Sequence, residues 1–336
     1  MGVNVDMLTR YKGYEDPSAG ITEEFLQPRL GLGRTVAILA RPLGSPRPVG
    51  FVICHSFAME QIHLTRFDAF MARTLAAAGF PVLRFHGQGY GDSERDMSDI
   101  GLSSHLAEGT DAVALMAAQD DVHEVGIMGA RLGGMVAALV ADAQNLPYLA
   151  LWDPVVAGAQ YMRDFLRSQL VHKMVQDAAQ AGLGRASDES PGSEHGSGIG
   201  DPRRQLETVG RADIKGFPLT RQAFDDLSAV NLAKDIQRFR GKSLVLALSR
   251  AERMSPSLTK LETRLQELGG ECTAQVVIDK SASQFGQHHH SNLPGGIKVD
   301  LQFELTRMLG ELTAAWATGV PHQAMLPDQA RQERGR

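Results

Sequence analysis

The stretch Val125-Gly126-Ile127-Met128-Gly129-Ala130-Arg131-Leu132-Gly133-Gly134-Met135 decides how the chain reads. Its first half is an apolar run suited to a buried strand. Its second half opens a helix that continues through Val136, Ala137, Ala138, Leu139 and Val140. Between them, Gly129-x-Arg131-x-Gly133 has the G-x-S-x-G spacing of a sharp strand-to-helix turn. Small residues on either side let neighbouring backbone approach a strained central residue. The centre of such a turn suits a nucleophile, and here it is Arg131.

Upstream, strand and helix patterns alternate. Residues 24–27 and 35–40 read as strands joined by a turn at Gly31-Leu32-Gly33. Gly44-Ser45-Pro46-Arg47-Pro48 is a further turn, and Gly50-Phe51-Val52-Ile53-Cys54 suits a central parallel strand. A helix over 66–78 sets Phe67, Phe70, Met71, Leu75 and Ala78 on one face. Then come a strand at 81–85, the loop Gly87-Gln88-Gly89-Tyr90-Gly91-Asp92-Ser93, and a helix over 103–119. After the central stretch, Leu149-Ala150-Leu151-Trp152 is another strand, ending in Asp153-Pro154. This is the pattern of a parallel sheet with helices on both faces.

Downstream the alternation breaks over 158–238. Helical patterns at 161–181 and 221–235 flank a Ser-, Gly-, Asp- and Glu-rich segment, 184–201, read as a mobile loop. The whole insertion reads as a cap over the sheet's ligand-binding edge. The sheet pattern resumes with a strand at 243–248, a helix at 257–268 and a strand at 273–278. A polar loop, 280–298, leads to a last helix at 300–318. The expected organisation is an N-terminal arm (1–20), a first core part (21–157), the cap (158–238), a second core part (239–318) and a frayed tail (319–336).

The 336 residues are enough for one large α/β domain carrying an insertion, or for two ordinary domains. A formal net charge of −5 argues against a general nucleic-acid binder. The two cysteines, Cys54 and Cys272, lie far apart and suggest no disulfide framework. No apolar run approaches the ~20 residues that span a bilayer, and Met1 to Pro17 carries no apolar leader core. A cytoplasmic protein without cofactor or metal is the expectation, with homo-oligomerisation left open.

In order and spacing, His55-Ser56-Phe57, Phe85-x-Gly87-x-Gly89-Tyr90-Gly91-Asp92-Ser93 and Gly129-x-Arg131-x-Gly133 resemble α/β-hydrolases of the serine aminopeptidase S33 type. A closer likeness is to the exosortase-system-associated hydrolase-like proteins, in which an Arg also replaces the elbow Ser. Leu151-Trp152-Asp153-Pro154-Val155 and Gly216-Phe217-Pro218-Leu219-Thr220 are similar to that group as well. The likeness covers about residues 22–318. It implies an α/β-hydrolase fold with Arg131 in the nucleophile slot, Glu252 in the acid slot and one of His288, His289 and His290 in the histidine slot. It also implies an oxyanion hole from the backbone N–H groups of Phe57 and Leu132. His86 stands where the family commonly has Asp.

A guanidinium stays protonated in proteins, so Arg131 cannot attack a carbonyl. Two readings remain for it. It holds an anionic ligand group in a bidentate fork, or it forms a structural ion pair with Asp153 or Glu252. The histidines at 288–290 supply either a general base or a solvated polar loop. Metal binding by them with His55 or His86 is the least favoured reading, because adjacent histidines point apart. His55 reads as structural, Cys54 as core and Asp92 as a turn residue. Ser56, His86 and Asp153 are candidate substrate contacts at the sheet edge. Ser56 is a weak candidate nucleophile, since it is not on a strained turn. The leading expectation is a hydrolase-fold protein without a serine nucleophile, acting on or binding a small or peptidic substrate with an anionic group. The alternatives are a non-catalytic ligand- or partner-binding pseudo-hydrolase, and an esterase or thioesterase with a non-standard nucleophile.

Overall fold

The protein was analysed as a computed structural model, which describes residues 12–167, 201–214, 216–278 and 295–320. Its strands are Gly13–Asp16 (β1), Ile21–Leu26 (β2), Arg29–Leu30 (β3), Gly33–Arg34 (β4), Ala37–Pro42 (β5), Val49–Cys54 (β6) and Val82–Phe85 (β7). They continue with Glu124–Ala130 (β8), Tyr148–Trp152 (β9), Arg211–Ile214 (β10), Phe217–Thr220 (β11), Lys242–Ser249 (β12) and Glu271–Ile278 (β13). The helices are Ala58–Ala77 (α1), Leu102–Ala117 (α2), Arg131–Gln144 (α3), residues 158–167 (α4), Pro202–Thr208 (α5), Arg221–Ala229 (α6), Leu232–Asp235 (α7), Pro256–Glu267 (α8) and Gly295–Thr318 (α9).

Nine strands form one sheet in the order β1-β2-β5-β7-β6-β8-β9-β12-β13. The first three neighbour pairs are antiparallel and the other five are parallel. The central strands read as apolar runs because both faces are covered. On one face α1 and α9 pack over Phe51, Ile53, Met128, Ala150, Trp152 and Leu246. On the other, α2, α3 and α8 cover Val52, Ile127, Leu149, Leu151 and Val245.

The chain leaves β6 for β7 on one side and returns to β8 on the other. That reversal opens a crevice at the carboxyl ends of β6 and β8, the usual ligand position in open α/β sheets. Two glycines set how closely α3 enters it. A Cβ on Gly129 would lie 2.3 Å from the Gly133 carbonyl, and one on Gly133 would lie 2.3 Å from the Cys54 oxygen. The start of α3 therefore rests directly on the end of β6.

Four local differences from the sequence reading have physical causes. The arm expected over 1–20 holds β1, which extends the sheet beyond β2. The first helix begins at Ala58 rather than 66, because polar Glu60 and Gln61 are buried there and blur the apolar period. The helical pattern at 221–235 is two helices, since Val230 and Asn231 are extended and Leu232 N–H donates to Val156. Residues 211–220 form an antiparallel hairpin. The expected mobile loop, except Asp201, and the tail beyond 320 lie outside the described residues. Of the polar loop expected over 280–298, residues 295–298 belong to α9, and the rest also lies outside them.

Candidate functional site

Three neighbouring strand ends carry a residue with positive φ that is not glycine: Ala58 after β6 (φ 51°), Arg131 after β8 (φ 52°) and Asp153 after β9 (φ 44°). Each conformation is costly for a residue with a Cβ and persists only where its surroundings enforce it. Arg131 and Asp153 belong to one polar cluster, and Ala58 opens the helix that carries its third member, Glu60.

Arg131 lies at its centre, with 18 % of its side chain exposed. Its Nη1 donates to Asp153 Oδ2 at 2.9 Å and to the Asp153 carbonyl at 3.2 Å. Its Nε donates to Glu60 Oε1 at 3.4 Å. Among the described residues Nη2 makes no hydrogen bond. Burial opposes the guanidinium charge, but the Glu60 and Asp153 carboxylates outweigh it and hold the pKa above the ordinary arginine value. These two carboxylates also offset the positive end of the α3 dipole, which disfavours a cation at this position.

Glu60, in the first turn of α1, is the hub. Its Oε2 accepts the Ser56 hydroxyl at 2.9 Å and the Tyr161 hydroxyl of α4 at 2.9 Å. One 8 %-exposed carboxylate thus joins the loop after β6, the turn after β8 and the segment after β9. Burial, then the Glu60 charge, pushes the Tyr161 phenol well above its usual range, so it stays a donor. Aromatic rings continue from the cluster, beginning with Phe165, which stacks on Tyr161 at 6.3 Å. Phe57 meets Phe165 of α4 at 5.7 Å and Phe217 of β11 at 4.9 Å, and Tyr90 stacks on Phe217 at 6.3 Å. The Tyr90 hydroxyl accepts from the strained Ala58 N–H at 2.5 Å.

A second cluster supports the β6 loop from below. His55 Nε2 lies 2.8 Å from Glu108 Oε2, and both side chains are buried. Glu108 Oε1 accepts the Gln88 N–H at 2.7 Å, tying the loops after β6 and β7 to α2. Gly87 has no room for a side chain, because a Cβ would lie 2.0 Å from the His55 ring. The His105 ring lies 4.5 Å from that of His55, tilted by 36°; burial, then His55, lowers its pKa to about 4. His55 is therefore a buried support.

The structure brings Arg131, Asp153 and Ser56 together and adds Glu60 and Tyr161, which sequence reasoning missed. An acidic residue in a first helical turn is too ordinary to stand out, and Tyr161 reads simply as part of a helix. Phe57 and Leu132, both fully buried, lie where α3 meets the β6 loop. Glu252 is exposed in the turn after β12 and makes no hydrogen bond or ion pair among the described residues. His86 is half-buried, and burial lowers its pKa; no hydrogen bond joins it to Arg131 among the described residues. His288, His289 and His290 lie outside the described residues. Among those described, no group of three or more His, Cys, Asp and Glu side chains is placed to hold a metal ion, and no helix is long and apolar enough to cross a membrane.

No protein-family model matches the sequence, and no curated protein matches it. Solved structures do. The Est1E structure from Butyrivibrio proteoclasticus with ferulic acid bound is 15 % identical, with a TM-score of 0.57 over 87 % of this chain and 99 % of that one. A second Est1E structure is 15 % identical, with a TM-score of 0.52 over 88 % and 99 %. Brefeldin A esterase, a bacterial homologue of human hormone-sensitive lipase, is 14 % identical, with a TM-score of 0.50 over 91 % and 78 %. At such identity the likeness is one of fold: the chain has the α/β-hydrolase fold, a mostly parallel central sheet flanked by helices.

Proposed function

We propose that this protein binds a small carboxylate-bearing ligand at the turn after β8 and does not hydrolyse esters through an acyl-enzyme. In this reading Arg131 fills the nucleophile slot of the fold and anchors the anion. The segment 158–238 is the cap, and its aromatic side chains receive the rest of the ligand. The observation that carries the reading is the charge state and company of Arg131. It is a permanent cation on a strained strand-to-helix turn, and its donors already engage carboxylate oxygens. Ser56 is a poor substitute nucleophile, being 1 % exposed with its hydroxyl proton given to Glu60.

A fluorophosphonate probe and a panel of activated esters test the hydrolytic side; neither labelling nor turnover is expected. Calorimetric titration with ferulate, benzoate, 3-phenylpropanoate and dodecanoate tests the binding side. Ferulate enters because one structure of the same fold holds ferulic acid. At least one carboxylate should bind to wild type and lose roughly tenfold or more affinity in Arg131→Met, about the 1.5–3 kcal/mol of one charge-assisted hydrogen bond. Serine labelling, or carboxylate binding indifferent to Arg131, overturns the proposal.

A further inference from the structure

The geometry points to a carboxylate site that the protein fills with its own Glu60, which an incoming ligand carboxylate must displace. The inference rests on the carboxylate-binding reading above and adds the identity of the resident occupant.

Three donors from three separate segments converge on Glu60: Ser56 Oγ, Tyr161 Oη and Arg131 Nε. Two hydroxyls and a guanidinium N–H form a receptor for a carboxylate whether or not that carboxylate belongs to the chain. The permanent partner of Arg131 is Asp153, held through Nη1 at 2.9 Å and fixed to β12 by its own N–H on the Leu246 carbonyl and by the Leu248 N–H on its Oδ1. The Glu60 contact is the looser one, at 3.4 Å. With Glu60 in place, Arg131 faces two carboxylates, one more than neutralises it. Exchange of Glu60 for a ligand carboxylate keeps the charge count and the donor set.

Among the described residues the Glu60 carboxylate is held by side-chain donors alone, whereas Asp153 is tied to β12 through Leu246 and Leu248, so Glu60 is the one released. Glu60 stands in the first helical turn, two residues beyond Ala58, whose φ of 51° stores strain at the helix start. Unwinding that turn relieves the strain. Tyr161, the donor on α4, is bound to Glu60, so displacement of Glu60 is felt by the covering segment. The rings of Phe57, Phe165 and Phe217 beside the receptor suit a ligand with an apolar or aromatic body behind its carboxylate.

Glu60→Gln keeps the size of the side chain and removes the competing charge. The first test is reaction of Arg131 with phenylglyoxal, read by peptide mass spectrometry, which needs no knowledge of the ligand. Arg131 should be slow to react in wild type and at least fivefold faster in Glu60→Gln. Added 3-phenylpropanoate should restore protection, and 3-phenylpropanamide should not. In titrations, 3-phenylpropanoate should bind Glu60→Gln at least tenfold more tightly than wild type. Glu60→Ala serves as the second variant, with circular dichroism as the folding control. Equal Arg131 reactivity in wild type and both variants overturns the inference. So does carboxylate binding that depends on Arg131 but is unchanged or weakened in the Glu60 variants, an outcome that leaves the proposed function standing. Carboxylate binding absent from wild type and from both variants overturns the two together.

Discussion

Arg131 is held by two opposing local effects, and substitution separates them. Its carboxylate partners favour the charge, while its φ of 52° disfavours any residue with a Cβ. Loss of the guanidinium leaves Glu60 and Asp153 without their shared cation in a largely buried place, which costs about 3 kcal/mol. Arg131→Ala and Arg131→Gly both incur that loss, but glycine alone removes the dihedral strain. Urea denaturation at pH 7 should therefore find Arg131→Gly more stable than Arg131→Ala by about 1 kcal/mol, although glycine in helices ordinarily does worse than alanine. The ordinary order, with alanine ahead, would mean that the turn is not strained. At this scale the sequence is legible where sterics act alone. Gly129 and Gly133 announced the turn, and the Cβ clashes at both explain why. Glu60 was not legible, because its role depends on partners 71 and 101 residues away.

Between elements, long-range polar contacts do what apolar periodicity cannot reveal. Asp142, near the end of α3, directs one oxygen, Oδ1, at three successive backbone N–H groups, those of Gln237, Arg238 and Phe239. This fixes the helix that starts at Arg131 to the chain entering β12, so the turn is anchored from both ends. Asp142→Ala leaves three donors without an acceptor beside fully buried Phe239 and should lower stability by about 2–4 kcal/mol. Asp142→Asn keeps an acceptor oxygen and should lose about 1 kcal/mol. Thermal and urea unfolding of the pair check this; equal losses would place the effect in side-chain packing instead. The hairpin β10–β11 shows a different limit. Ala212 and Ile214, then Phe217 and Leu219, alternate as strands should, and all four are buried. Pro218 argues against a strand, but the hairpin has only two strands, so its proline withholds nothing from a ladder beyond it.

Across the whole molecule, the order of strands gathers loops from distant parts of the chain at one sheet edge, and buried titratable groups follow. Asp68 on α1 is one. Burial raises its pKa to about 7 from 3.8, against the lowering influence of His55, its hydrogen bond to Gln61, and Arg84. Gln61 in turn accepts the Ser56 N–H at 2.6 Å, linking Asp68 to the loop after β6. Because the folded pKa lies above the unfolded one, the native state binds more protons between pH 3.8 and 7, and the Asp68 contribution to stability declines as pH rises through that window. His105 acts in the other direction. Its folded pKa of about 4 lies below 6.5, so stability falls as pH drops from 6.5 toward 4. In wild type the two slopes oppose one another. Asp68→Asn retains a hydrogen-bonding side chain and abolishes the first slope, leaving that of His105. Denaturant unfolding of both proteins from pH 4 to 8 should show the variant gaining on wild type as pH rises to about 7 and holding a constant lead above it. A stability difference that stays flat between pH 4 and 7 would mean that Asp68 ionises as an ordinary carboxyl.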